Sequence, residues 1–438
     1  MGHISIPRLT HHIGQTVTLR GWVQTLRDQK HMQFIILRNP TGTVQVALEK
    51  QQNPGLAKIA STLTRESAVR LTGRVVQNPH VRLGGIEIHL ADLHIENRAA
   101  SPLPIEPFGK GLPGLEPRLN WRHLDLRRPE SHLLFQVQTT VEAAMRNFWY
   151  QEGFIEIHTP KLMGSASESG AELFELPYFD TTAYLAQSSQ FYKQMAMAAG
   201  FDKVFEIGPV FRANPSFTSR HDTEFTSVDV EIAWIESHAD LMAFEEQWLC
   251  DVLSTVRNTH GEAIAEHFGS EIIVPERPFP HIAMEEAVAR LAERGYTPPS
   301  EKLGDLCPQG ERLLGEYIRE TFGHEFVFLT DYPVSVRPFY HRRYPENLAV
   351  TKSFDLLWKG LELTTGAQRE HRPDILAAQA QEKGLLLEPL RFYLDFFKYG
   401  CPPHGGFGFG LTRMLMVLLG CNNVREVTYL WGPKRLYP

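Results

Sequence analysis

EIGPVFRANPSFTSRHDTEFTSVDVEIAW, residues 206–234, is the stretch on which the reading of this chain turns. Two runs with the patterning of strands flank a polar loop that carries Arg212, Arg220 and His221, and Phe225 opens the return run. Such a pattern predicts an antiparallel hairpin. Two arginines on a hairpin can grip phosphate oxygens in bidentate fashion, and an aromatic ring can stack on a purine. Taken alone, the same segment also suits a solvated hairpin with ordinary surface charges.

Three other segments add chemistry. In SFDLLWKGLELTTGAQREHR (353–372), a two-residue turn at Lys359-Gly360 would pair Trp358 with Leu361 and Leu357 with Glu362. Asp355 and Glu362 then share a sheet face as diagonal neighbours. Two carboxylates there repel unless a cation lies between them, and oxygen ligands suit Mg²⁺; the alternative is that each pairs with its own Lys or Arg. Arg369 brings a fixed positive charge close by. PPHGGFGFGLTRMLMVLLG (402–420) reads as a glycine-rich strand entering an apolar helix, with Arg413 at the junction. Glycines there allow a ligand to approach the backbone, and a helix start attracts anions. YLAQSSQFYKQM (184–195) sets Gln187, Gln190 and Lys193 after a strand.

The first hundred residues have a different character. Segments 16–26, 33–39, 43–49, 68–77 and 85–95 read as short strands, with a helical stretch at 55–64. Five strands with a helix between the third and fourth suit a small closed barrel of the oligonucleotide-binding kind. A Pro/Gly-rich linker (101–117) follows. Helical spacing runs from 131 to 153, with Ser131 as the expected N-cap and Gly153 as the stop, and returns over 238–260 and 310–323.

Composition sets outer limits. The chain has 438 residues and a net charge of −7, but residues 1–100 hold 12 Lys and Arg against 6 Asp and Glu, leaving −13 on the rest. A basic head on an acidic body is consistent with one part that meets a polyanion. Four scattered cysteines with no CxxC pair argue against a zinc ribbon or a disulfide framework and point to the cytoplasm. No run of 18 apolar residues occurs, so no membrane association is expected.

In this order, the segments resemble the class II aminoacyl-tRNA synthetases, within the subclass holding the aspartyl, asparaginyl and lysyl members. Residues 145–160 resemble motif 1, ending at Pro160, which the family uses at its dimer interface; 206–234 resemble motif 2 and 405–419 motif 3. The resemblance implies an α+β fold: an OB-fold anticodon-binding β-barrel over 1–100, a hinge over 101–130, and a catalytic antiparallel sheet flanked by helices over 131–438. QSSQFYKQ is similar to the aspartyl pattern, in which Lys193 and Arg369 face the substrate's side-chain carboxylate, and two buried cations favour a carboxylate over an amide.

The resemblance distributes the remaining roles. Glu168 and Gln190 would hold the α-amino end of L-aspartate, with Thr365 close by. Arg212 would bridge the α-phosphate and the substrate carboxylate, and Arg220 and His221 would reach the outer phosphates of ATP. Phe225 and Arg413 would enclose adenine beside Gly410. Arg212 and Arg413 are thus the catalytic charges, and Asp355 and Glu362 the Mg²⁺ ligands, Glu362 also serving ATP. Arg27, Phe34, Gln45 and Glu87 match anticodon-reading positions. His31 and Pro79 resemble enzymes relaxed enough to charge tRNA(Asn) as well as tRNA(Asp), whose product an amidotransferase consumes. The expected protein is a homodimeric aspartate–tRNA ligase; the alternatives are an asparaginyl enzyme and a catalytically silent paralogue. Asn214 and Thr412 depart from the subclass, which commonly carries Glu at both places.

Overall fold

The structure is a computed structural model that describes residues 4–109, 111–165, 173–214, 218–299 and 303–431. The chain divides into two compact units, one running to His132 and the other Leu133–Trp431.

In the first unit, β1 (Thr16–Asp28), β2 (Met32–Asn39), β3 (Gly42–Glu49), β4 (Ala68–Gln77) and β5 (Ile86–Asn97) close into a barrel of order β1-β2-β3-β5-β4. Alternation explains it: Ile35 and Leu37, Val44 and Val46, and Ile86 and Ile88 turn inward onto one apolar core. The helix α1 (Pro54–Ala60) is shorter than the 55–64 expected from the sequence. Two short helices follow, α2 (Leu115–Asn120) and α3 (Arg122–Asp125). The Pro/Gly-rich stretch before them packs on the barrel, for Ile105 is buried and the Arg38 guanidinium sits 4.4 Å over the Phe108 ring.

The long helix α4 (Pro129–Gln151) begins two residues before the expected cap. Proline suits the first helical position because its fixed φ is already helical, so Ser131 lies inside the first turn rather than capping it. Gly153, at φ +81°, ends the run as expected. Next come β6 (Ile155–Glu156), β7 (Leu162–Met163), β8 (Glu175–Tyr178), β9 (Thr181–Leu185), α5 (Gln190–Ala198), β10 (Lys203–Phe211) and β11 (Glu224–Ala233). Then follow α6 (His238–Phe268), β12 (His281–Ala283), α7 (Met284–Ala292), α8 (Pro308–Phe322), β13 (Phe326–Thr330), β14 (Arg343–Tyr344) and β15 (Asn347–Thr351). The chain closes with β16 (Ser353–Trp358), β17 (Leu361–Gln368), α9 (Pro373–Glu382), α10 (Arg391–Phe397), β18 (His404–Gly410), α11 (Leu411–Leu419) and α12 (Val424–Val427).

Eight of these strands form one sheet, β12-β13-β16-β17-β18-β11-β10-β6, antiparallel through its middle with a parallel pair at each end. Over its central strands the two faces separate packing from chemistry, while at β13 and β16 Val327, Leu329 and Leu357 form a second apolar cluster with α7 and α8 on the face of Asp355. Phe354, Leu356, Val228, Val230, Phe407 and Phe409 face the core with α4, α6 and α11. The alternate residues form a row across the other face, Asp355 beside Thr365, Thr365 beside Gly408 and Gly408 beside Asp229.

One acid lies on the core side. Glu245 of α6 is fully buried and accepts a hydrogen bond from Thr364 Oγ1 at 2.5 Å. Burial pushes its carboxyl from 4.5 up to about 8, the Thr364 hydrogen bond opposing and the charges of Glu246 and Asp355 adding to the rise. Between those values the folded chain keeps a proton that the unfolded chain releases, so Glu245 lowers stability as pH climbs through this window. Glu245→Gln keeps the acceptor and removes the titration. Thermal melting from pH 5 to 8 should show a flatter profile and a gain of about 2–4 kcal/mol at the upper end.

Candidate active site

A cavity of about 430 Å³ opens on the polar face of the large sheet. It brings together ten of the residues singled out from sequence: Gln190, Arg212, Arg220, His221, Phe225, Glu362, Thr365, Arg369, Gly410 and Arg413 all line it, as do the two departures, Asn214 and Thr412. Glu168 lies outside the described residues.

The hairpin β10–β11 forms as expected, with Phe211 opposite Glu224 and Val210 opposite Phe225. The Arg212 guanidinium sits 5.4 Å from the centre of the Phe225 ring. Arg220 Nη1 donates to Glu311 Oε2 of α8 at 2.9 Å. The partner comes from the region between residues 240 and 345, which carries no functional motif. Burial holds the His221 imidazole below its usual range, helped by the charges of Arg413, Arg220 and Arg212 and opposed by Glu362. It therefore sits neutral beside the arginines.

The β16–β17 turn pairs Trp358 with Leu361 and Leu357 with Glu362, and Lys359 and Gly360 both adopt positive φ, as a two-residue hairpin turn requires. A bulge then intervenes, since Leu356 faces Thr364 and Leu363 is left over. The extra residue turns Thr365 onto the face of Glu362, where its hydroxyl donates to Glu362 Oε1 at 3.3 Å. The two acids carry arginine partners. An Arg337 nitrogen lies 2.7 Å from Asp355 Oδ1, and Arg413 Nη1 donates to Glu362 at Oε1 (3.2 Å) and at the backbone oxygen (2.9 Å). Burial and then the charge of Glu362 push the Asp355 carboxyl up, against Arg337. Burial would raise Glu362 too, but Arg413 and Arg337 hold it below the ordinary value.

The two cations expected in the side-chain pocket are both buried, and each already has carboxylate partners within the fold. Lys193 Nζ donates to Asp229 Oδ1 and to the Phe407 carbonyl, both at 2.9 Å, and lies 3.6 Å from Glu231. Arg369 Nε donates to Glu231 Oε1 at 3.0 Å, and its Nη2 to the Gly406 carbonyl at 2.9 Å. Two cations meet two carboxylates, so this group of four carries no surplus charge. An ammonium has three N–H donors; two of Lys193's are engaged, the Glu231 carboxylate lies near the third, and Lys193 sits behind Asp229 rather than in the cavity lining. His341 was missed from sequence. Its buried ring accepts from Arg369 Nη1 at 3.2 Å through Nε2, while Nδ1 has no partner among the described residues. Burial and the Arg369 charge hold it well below its usual pKa, so it is neutral. Asp229 and Glu231 were visible only as letters of an apolar strand.

The glycines of β18 divide between two tasks. A Cβ on Gly405 would lie 2.7 Å from the Ala367 carbonyl oxygen, and one on Gly406 2.0 Å from that of Val230. These two serve strand packing rather than ligand approach. Gly408 and Gly410 border the cavity and leave it open.

On the barrel, Phe34 points outward and is half-buried, not a core residue. It stands opposite Arg27, and Gln45 stands opposite Glu87. Gln45 Nε2 donates to Glu87 Oε2 at 3.0 Å, and His89 Nε2 lies 3.1 Å from Oε1. Burial would raise Glu87, but hydrogen bonds from Asn78, Gln45 and His89 bring it below the ordinary value, which keeps it an ionised acceptor. His31 and Pro79 are exposed in the β1–β2 and β4–β5 connections. Pro160 is exposed as well, beside the exposed apolar side chains of Tyr150, Ile155 and Leu162.

A closed OB-type barrel and a sheet whose polar face gathers arginines around paired carboxylates define a nucleic-acid-binding ligase architecture. Residues 114–431 match the family described as tRNA synthetases class II (D, K and N), and 17–96 match the OB-fold nucleic acid binding domain. The chain belongs to the class II tRNA synthetases of this D, K and N group. It is 43% identical over 415 residues to the aspartate–tRNA(Asp) ligase of Pyrococcus abyssi, covering 94% of each chain. It is 44% identical over 428 residues to the aspartate–tRNA(Asp/Asn) ligase of Methanopyrus kandleri, covering 97% of this chain and 96% of that one. The structure of asparaginyl-tRNA synthetase from Pyrococcus horikoshii complexed with asparaginyl-adenylate superposes over 100% of both chains with a TM-score of 0.90 at 30% identity.

Proposed function

We propose that this chain is an aspartate–tRNA ligase that activates L-aspartate with ATP and charges both tRNA(Asp) and tRNA(Asn). The observation that carries the choice of aspartate is the pair of buried cations, Lys193 and Arg369, gathered at the amino-acid end of the site. His341 lines the cavity, and its unpartnered Nδ1 is a further donor suited to a carboxylate. The identity to aspartate ligases, above 40%, exceeds the 30% to the asparaginyl structure.

The protein supplies positioning and charge rather than a nucleophile. The aspartate α-carboxylate, ionised at neutral pH, attacks the α-phosphorus in line and pyrophosphate leaves. Gln190 holds the α-ammonium, Arg212 neutralises charge at the α-phosphate, Arg220 and His221 meet the outer phosphates, and Phe225 with Arg413 encloses adenine. Among the described residues no third His, Cys, Asp or Glu joins Asp355 and Glu362. Asp355 and Glu362, oxygen donors each beside an arginine, would hold a Mg²⁺, which would supply positive charge to the triphosphate. In the second half-reaction the 3′-terminal ribose hydroxyl attacks the aspartyl carbonyl and AMP leaves.

On the barrel, Phe34 stacks an anticodon base while Arg27, Gln45 and Glu87 read base edges. His31 and Pro79 leave the third letter loosely read, as the Asp/Asn ligase among the relatives supports. The product on tRNA(Asn) then passes to an amidotransferase. The exposed apolar surface around Pro160 serves a homodimer, and the free cysteines suit the cytoplasm.

Aminoacylation with labelled aspartate on purified tRNA(Asp) and tRNA(Asn) tests the reading, with both expected to be charged at rates within about tenfold of each other. Charging of tRNA(Asp) alone would discard the relaxed specificity. Pyrophosphate exchange with asparagine and not aspartate would discard the ligase assignment.

A further inference from the structure

Beneath the cavity a chain of hydrogen bonds leads away from Gln190 and has no part in the roles above. Gln190 Nε2 donates to Gln194 Oε1 one helical turn later at 2.8 Å, and Tyr393 Oη donates to the same oxygen at 3.0 Å. Gln194 Nε2 lies 3.1 Å from His404 Nε2, and His404 Nδ1 lies 2.8 Å from the Pro402 carbonyl. Gln194, Tyr393 and His404 are fully buried and Gln190 nearly so.

The direction of every bond follows from one end. A carbonyl only accepts, so Nδ1 of His404 carries the proton. Burial lowers this imidazole to about 4, the charge of Glu231 opposing, so the ring is neutral and Nε2 is an acceptor. Gln194 must therefore turn its amide nitrogen to His404 and its oxygen to Gln190 and Tyr393. Gln190 must then turn its own nitrogen inward, and its oxygen is the end left for the cavity.

We infer that His404 and Gln194 are positioning residues that fix the Gln190 amide with its carbonyl oxygen presented to the α-ammonium of the amino-acid substrate. An amide free to flip would present N–H groups to a cation half of the time. The inference rests on the reading that Gln190 holds the α-amino group.

Pyrophosphate exchange with Gln194→Met, which fills similar space without hydrogen bonds, should raise KM for aspartate about tenfold and leave KM for ATP within about twofold. Inhibition by succinate, which has the two carboxylates and no α-ammonium, should be unchanged, whereas a packing defect would weaken aspartate and succinate alike. Gln194→Glu retains the acceptor for Gln190 and should recover aspartate KM to within about threefold. Equal effects on aspartate and succinate, or no effect of Gln194→Met on either, would overturn the inference. Gln190→Met separates the two levels. If it leaves aspartate KM untouched, the role of Gln190 itself fails; if it raises KM while Gln194→Met does not, only the relay fails.

Discussion

Lys193→Met is expected to abolish aspartate activation and to destabilise the catalytic unit together. Lys193 Nζ bonds Asp229 and the Phe407 carbonyl inside the sheet, and the side chain is 2% exposed. Methionine fills the volume but strands Asp229, whose carboxyl, despite the cost of burial, is held below the ordinary range by Lys193 first and by Ser227. Removing one partner of a buried pair costs about 3–5 kcal/mol, because the other charge stays desolvated. A second variant separates stability from chemistry. Lys193→Met with Asp229→Leu removes both charges and should regain most of the lost stability, to within about 1–2 kcal/mol of the parent. Aspartate-dependent pyrophosphate exchange should remain down by about 10³ in both variants, the scale of a lost charge-assisted contact in a closed site. Recovery of exchange in the double variant would remove Lys193 from substrate recognition.

Gly406→Ala should have a comparable effect on folding for a different reason. The added Cβ would lie 2.0 Å from the Val230 carbonyl oxygen and 2.3 Å from Glu231 Oε2. The first neighbour is backbone within the sheet and the second is the carboxylate that grips Arg369, so neither can yield without opening β11 from β18. The expected cost is about 3 kcal/mol or more, at the upper end of overpacking effects. Scanning calorimetry should show the catalytic unit's transition moving down by several degrees with the barrel's transition in place. Gly408→Ala is the control. There a Cβ would meet Asp229 Oδ1 at 3.4 Å, so folding is spared and the change falls on aspartate KM.

Local patterning made most elements legible. The barrel strands lie within two residues of their expected ends, because inward and outward residues alternate over most of their length, with bulges at Val23–Thr25 and Thr72–Gly73. The hairpins at Arg212 and at Lys359-Gly360 were equally readable, since turn chemistry is local. What stayed hidden depends on partners far apart in the chain. Arg337 reaches Asp355, Glu311 reaches Arg220 and Glu231 reaches Arg369, and no spacing in the sequence announces these pairs. The bulge at Leu363 was hidden for a related reason, as an extra residue in a strand shows only against its neighbour. The packing role of Gly405 and Gly406 is likewise invisible until β11 and β17 are alongside. Ser131 has the chemistry of a cap, but Pro129 two places before it suits the first helical position and starts α4 there.

The pairing of cations with acids has a consequence for how the two units respond to salt. Arg220, Arg337, Arg369 and Arg413 and the buried Lys193 each already hold a carboxylate. An anionic substrate therefore meets a site whose cations are already balanced from within the fold, which leaves added electrolyte little unmatched charge there to screen. The barrel end of the chain keeps a net +6 over residues 1–100 although some of its cations are paired internally, Arg38 with Glu66, Lys50 with Asp28 and Arg70 with Glu96. Binding of a polynucleotide there releases condensed ions from the nucleic acid and weakens steeply as ionic strength rises. The same protein thus combines a small-molecule site balanced from within with a nucleic-acid surface that keeps net positive charge and answers to ionic strength.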